Sequence, residues 1–209
     1  MGRQVKIVPA VLATTREEWR EKIEKVKGRV ERVQVDVVDK SFGRPTFKIE
    51  KVEGVRVEAH LMVREPVVWL SRCRQAGVEL VVGQIERMAD QQRFWETAWE
   101  MGFKVGLAVD LQTPVERLKP GVVGSLDQVL LLAVKAGRSG QRFDRRVLEK
   151  IKKVREWVGE ETEVAVDGGV NDKTAAECVR AGADVLVVGS FLWKGEWEER
   201  WRRLERAVG

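Results

Sequence analysis

The sequence predicts an α/β protein with one (β/α)8 TIM barrel. Short β-rich runs alternate with longer amphipathic runs along the whole chain. Runs such as VLLLAV and VLVVG are apolar on both faces, as parallel strands covered by helices must be. Eight such units fill 209 residues with no linker and no low-complexity tract. Right-handed crossovers leave an open doubly wound sheet or a closed eight-stranded barrel, and eight units in this length favour the barrel. One domain over residues 1–209 is expected.

The elements follow in order. VKIVPAVLA reads as strand one, and TTREEWREKIEKVKG as its helix, with a capping threonine, acids in the first turn and apolar spacing of three to four. VERVQVDVV is strand two, followed by the loop SFGRPTF. VRVEAHLMV is strand three, with EPVVWLSRCRQAG a helix stopped by glycine. VELVVGQI is strand four, and DQQRFWETAWEMG again ends its helix on glycine. FKVGLAVDL is strand five, with the short TPVERL behind it. QVLLLAV is strand six, then the loop KAGRSGQRF and the helix DRRVLEKIKKVREWVG. TEVAVDGGV is strand seven, with the helix NDKTAAECVRAG. ADVLVVGSF is strand eight, and GEWEERWRRLERAV closes the chain.

Composition narrows the function. Lys+Arg minus Asp+Glu is 38 − 33 = +5, on a chain that is 34% charged. Bases have acids beside them, as in EWEERWRRLERA, so a salted surface is expected and no nucleic-acid partner. An apolar fraction of 44% excludes global disorder. No apolar run reaches the roughly 18 residues of a membrane helix. MGRQVKIVPAVLA lacks the apolar stretch of a secretion signal, so a soluble, cytoplasmic protein is expected. Cys73 and Cys178 lie in helical patterns and suggest no disulfide framework.

In such a barrel, chemistry sits where strands end and loops begin. Residues two apart share a face of a strand. With Val35 and Val37 toward the helices, Gln34 and Asp36 face the barrel. Glu58, His60 and Met62 share the inward face of strand three, and Asp167 that of strand seven. Two carboxylates and the only histidine therefore converge at one mouth. Gly168 and Gly169, Gly189 and Ser190, and Gly137 and Gly140 follow the last three strands and suit a phosphate cradle of backbone N–H groups. The alternative is a pair of structural acids beside a satisfied histidine. Trp95 and Trp99, and the series Trp193, Trp197 and Trp201, stand four apart and suit helix or subunit packing. Trp193 is the exception to watch, because it follows the phosphate loop closely.

VQVDVVD, EAHLMV, LLLAVKAGRSGQRF and VAVDGGVNDKTAAECVRAGADVLVVGS resemble, in register, segments of the ribulose-phosphate 3-epimerase family, a ribulose-phosphate-binding type of barrel. The resemblance implies interconversion of D-ribulose 5-phosphate and D-xylulose 5-phosphate. One carboxylate takes the C3 proton to give an enediolate, and a second returns a proton to the other face. Asp36 and Asp167 correspond to that pair. It also implies a divalent metal (zinc, iron or manganese) at Gln34, Asp36, His60 and Asp167. His60, Met62, Gly137, Gly140, Gly168, Gly169, Gly189 and Ser190 would hold the substrate, a small phosphorylated ketose. A homo-oligomer is expected.

The departures cluster at the site. Gln34 stands where the family has a histidine, and an amide oxygen is a weaker ligand than imidazole, so a weakened metal site is expected. Ala10 replaces a family serine, QIE (84–86) replaces an HVE-like segment, Lys40 replaces a glycine, and KAGRSG replaces NPGFGG. Lys40, Lys135 or Arg138 would then supply positive charge. Two alternatives stand beside the epimerase: an enzyme for a different ketose phosphate, and a sugar-phosphate-binding relative without turnover. A hexulose-phosphate synthase-like aldolase is a third class. Glu58 is expected either to orient His60 or to pair with Arg56.

Overall fold

A computed structural model describes residues 4–209. Eight strands, β1 (Lys6–Val11), β2 (Arg32–Val38), β3 (Arg56–Met62), β4 (Leu80–Gln84), β5 (Lys104–Val109), β6 (Gln128–Leu132), β7 (Glu163–Asp167) and β8 (Val185–Val188), run parallel. They follow one another around a closed barrel in which β8 pairs with β1. Helices α1 (Arg16–Val26), α2 (Leu70–Gln75), α3 (Gln91–Glu100), α4 (Pro120–Val123), α5 (Arg146–Trp157), α6 (Ala175–Ala181), α7 (Ser190–Trp193) and α8 (Trp197–Val208) lie between and after them.

Local chemistry sets the helix ends. Thr15 caps α1 by accepting from the Glu18 N–H at 3.2 Å, and Glu18 reaches back to the Thr14 N–H at 2.7 Å. Asp90 caps α3 through the N–H groups of Gln92 and Arg93. The barrel interior is a cluster that includes Val8, Ala10, Met62, Val82, Leu130, Leu132, Ala165 and Val187. Val35 and Val37 belong instead to the larger layer between strands and helices, as their alternation predicts.

The second unit departs from the regular beat. No helix joins β2 to β3, because residues 39–55 form an irregular strap. Gly43, Pro45 and Gly54 interrupt helical geometry there. The strap does a helix's packing job: Phe47, Ile49, Val52 and Val55 lie on the outer core, and Phe47 stands 6.4 Å from Trp19 ring to ring. Behind β5, TPVERL becomes a 3-10 turn (Val115–Arg117), followed by the four residues of α4. Strand eight stops at Val188, and Ser190 opens α7 rather than ending the strand.

Neither expected partner of Glu58 is the observed one. Arg56 points outward to Glu31 at 2.9 Å. Glu58 is fully buried beside Arg32 at 3.2 Å, toward the barrel's N-terminal end. Arg32 also meets Glu163 at 2.8 Å, and Lys6 meets the same carboxylate at 2.5 Å. Burial pushes the Glu58 carboxyl up to about 6 despite the nearby Arg32 charge. The tryptophans four apart stack on one another along their own helices, Trp95 with Trp99 at 6.1 Å and Trp197 with Trp201 at 5.0 Å; Trp197 is buried in the outer core, whereas Trp99 is exposed.

Candidate active site at the C-terminal mouth

The strand register assembles the site. Asp36 pairs with His60 across β2 and β3, Val38 with Met62, and Leu132 with Asp167 across β6 and β7. One donor atom from each of Asp36, His60 and Asp167 lies within 4.8 Å of the others. These three form the floor of a cavity of about 210 Å³. Met62, Gly137, Gly140, Gly168, Gly169, Gly189 and Ser190 line it as well.

Gln34 takes a different place. It is fully buried beneath the carboxylates, and it does not line the cavity. Its Nε2 donates to Asp36 Oδ1 at 2.8 Å and to Asp167 Oδ2 at 3.0 Å. So the amide's nitrogen, not its oxygen, faces the acids. The reverse orientation would aim a carbonyl oxygen at two carboxylates.

The electrostatics follow from burial. Burial and then the charge of Asp36 push the Asp167 carboxyl up to about 7. Burial alone would lower the His60 imidazole, but contact with Asp36 and the charge of Asp167 outweigh it and raise its pKa. His60 Nδ1 lies 3.4 Å from Asp36 Oδ1, without a hydrogen-bond partner among the described residues. An imidazole nitrogen this close to carboxylates and without a hydrogen-bond partner is a place for a proton or a cation. Oxygen and nitrogen donors at this spacing suit a divalent ion, so Asp36, His60 and Asp167 fit a metal. Gln34 Oε1, buried and also without a partner, could join only after its amide turns over.

The glycine-rich wall is dictated by close approach. Gly168 has φ 104°, and a Cβ there would lie 2.5 Å from Val134 Cγ2. At Gly169 the same atom would lie 2.5 Å from the Phe143 backbone nitrogen. The Gly137 N–H meets Met62 Sδ at 3.2 Å, tying the loop after β6 to β3. Lys135 and Arg138 line the cavity; Lys40 does not.

Several lining or supporting residues escape the strand-end reading. Lys22 comes from α1, donates to the Leu12 carbonyl at 2.6 Å, and stands 5.9 Å over the Trp193 ring. Trp193 Nε1 donates to the Ala10 carbonyl at 2.6 Å, which fixes the indole in the cavity wall. Lys194 completes that side. Gln84 holds His60, with Oε1 2.7 Å from Nε2. A helix lysine reaching inward leaves no periodic signal, and the departures in QIE were the one hint at Gln84.

Fold and site define a parallel (β/α)8 barrel with a carboxylate–imidazole cluster under a glycine-lined cavity at its C-terminal mouth. The model of the ribulose-phosphate 3-epimerase family matches residues 6–193, and the chain belongs to that family. It is 33% identical over 202 residues to the ribulose-phosphate 3-epimerase of Bacillus subtilis, covering 90% of this chain and 92% of that protein. The Schizosaccharomyces pombe protein of the same name is 32% identical over 211 residues, covering 94% and 90%. Among solved structures, a mutant tryptophan synthase α-subunit from Pyrococcus furiosus superposes with a TM-score of 0.69 at 14% identity, over 100% of both chains. The Pyrococcus furiosus thiamine phosphate pyrophosphorylase gives 0.62 at 19% identity, over 98% of this chain and 95% of that one. At these identities the likeness is one of fold.

Proposed function

We propose that the protein interconverts D-ribulose 5-phosphate and D-xylulose 5-phosphate. The observation that carries this reading is the convergence of Asp36, His60 and Asp167 at the floor of a cavity walled by glycine backbone. The glycine-rich loops receive the phosphate and leave the sugar over the carboxylates. Asp36 and Asp167 exchange the C3 proton: one carboxylate takes it from one face, and the carboxyl of the other delivers a proton to the opposite face. His60 stands beside the acids, with Nδ1 3.4 Å from Asp36 Oδ1.

Asp36, His60 and Asp167 would hold a zinc, iron or manganese ion, which when bound supplies positive charge for the enediolate oxygens. With Gln34 donating to both acids instead of ligating, the ion is held more weakly than in a site with a second imidazole. Assembly into a homo-oligomer belongs to the same reading; the exposed Val68 and Trp99 offer apolar surface for it.

The test is incubation with D-ribulose 5-phosphate in heavy water, with Mn²⁺, Zn²⁺ or Fe²⁺ added. Deuterium at C3 and formation of xylulose 5-phosphate are expected. Absence of exchange at high enzyme concentration overturns the reading. Sugar-phosphate binding by calorimetry without exchange would identify a binding protein instead.

A further inference from the structure

Behind His60 lies a chain of hydrogen bonds with only one consistent direction. Gln84 ends β4 and is fully buried. Its Nε2 donates to Glu86 Oε2 at 2.6 Å. The other Glu86 oxygen accepts from the Asp110 N–H at 2.9 Å. Asp110 is itself held, since its carboxylate accepts from the Ala136 N–H at 2.8 Å and its carbonyl from Lys150 at 2.6 Å.

A carboxylate accepts hydrogen bonds and donates none. Glu86 therefore faces the amino end of the Gln84 amide, which leaves the carbonyl end turned to His60 at 2.7 Å. A carbonyl oxygen must meet an N–H, so the hydrogen of a neutral His60 ring sits on Nε2. The lone pair is then on Nδ1, the atom that faces Asp36 and has no partner of its own. With the opposite tautomer, Nδ1 would point a hydrogen into the cluster and could not ligate a metal.

We propose that Glu86 is a positioning residue: through Gln84 it locks His60 in the Nε2–H tautomer and keeps Nδ1 open toward Asp36 and Asp167. Glu86 touches neither the cavity floor nor the ring. The inference rests on the reading of His60 as a group that serves the site, but the tautomer itself is measurable without turnover.

His60 is the only histidine in the chain, so its ring nitrogens give unambiguous signals. Two-bond ¹H–¹⁵N spectra of metal-free full-length protein, at alkaline pH where the ring is neutral, read the tautomer directly. The wild type is expected to show Nε2–H alone. In Glu86→Gln, residue 86 can donate as well as accept, so the Gln84 amide can turn over and a population of Nδ1–H appears. Competition against a chelator should show Zn²⁺ held about tenfold or more less tightly. Gln84→Met keeps the volume, removes both bonds and is expected to give the same mixture, which covers a failure of the first variant to fold. A wild type in the Nδ1–H form, or folded variants that keep Nε2–H alone, overturns the proposal. An inactive wild type in the Nε2–H form would defeat the epimerase reading and not this one.

Discussion

Gln34 Nε2 stands 3.0 Å from Asp167 Oδ2, joining two side chains that are 133 positions apart in the chain. The same nitrogen holds Asp36 on its own strand, so one neutral amide ties both carboxylates together. A histidine at this place could ligate a cation; glutamine instead serves the acids as a donor.

Gln34→His should raise Zn²⁺ affinity by about tenfold or more, because imidazole is the stronger ligand. Gln34→Ala should lower activity by leaving Asp36 and Asp167 without their shared donor. Calorimetric titration with Zn²⁺ and a coupled assay read the two effects. No gain in affinity on placing histidine would show that residue 34 has no access to the ion.

Asp36→Asn and Asp167→Asn should each reduce kcat by about 10²–10⁴-fold, the range over which a positioned acid or base contributes. The tell-tale is heavy-water exchange, which should fall with kcat while the fold, read by circular dichroism, persists. Full activity in either variant would remove that residue from proton transfer.

Glu58 gives a pH-dependent stability. Its folded carboxyl is raised to about 6 from 4.5, so the folded state favours the neutral form. Stability is therefore unaffected below about 4.5, falls as pH rises toward 6, and stays reduced above it. Glu58→Gln should regain about 2 kcal/mol above that window and nothing below it. Arg32 keeps Glu163 as its partner in the variant. Urea melts at acid and neutral pH would show the difference, and an equal effect at both would refute it.

Gly168→Ala should cost about 1–3 kcal/mol from left-handed backbone strain, with a further loss from the contact with Val134. Phosphate-ester affinity should fall with it, since Val134 and Gly168 share the cavity wall. Chemical denaturation and calorimetry measure the two together. Gly124→Ala, where a Cβ would meet nothing within 4 Å, is the control expected to be neutral.

The site was legible where period-two alternation governs. Asp36, His60, Met62 and Asp167 each point inward because their strand neighbours are apolar and must face the helices. The strap over residues 39–55 was half legible: SFGRPTF announced a loop, but nothing announced that Phe47 would cover the core in a helix's stead.

By itself the sequence determined the alternation of strands and helices, the inward set at each strand end and the glycines at the mouth, because each depends on neighbours a few residues away. Only tertiary structure decided which buried groups meet. Glu58 found Arg32, His60 found Gln84, and Gln34 reached Asp167. Those pairings depend on how far adjacent strands are staggered when the barrel closes, and stagger is a property of the whole ring, written in no single segment.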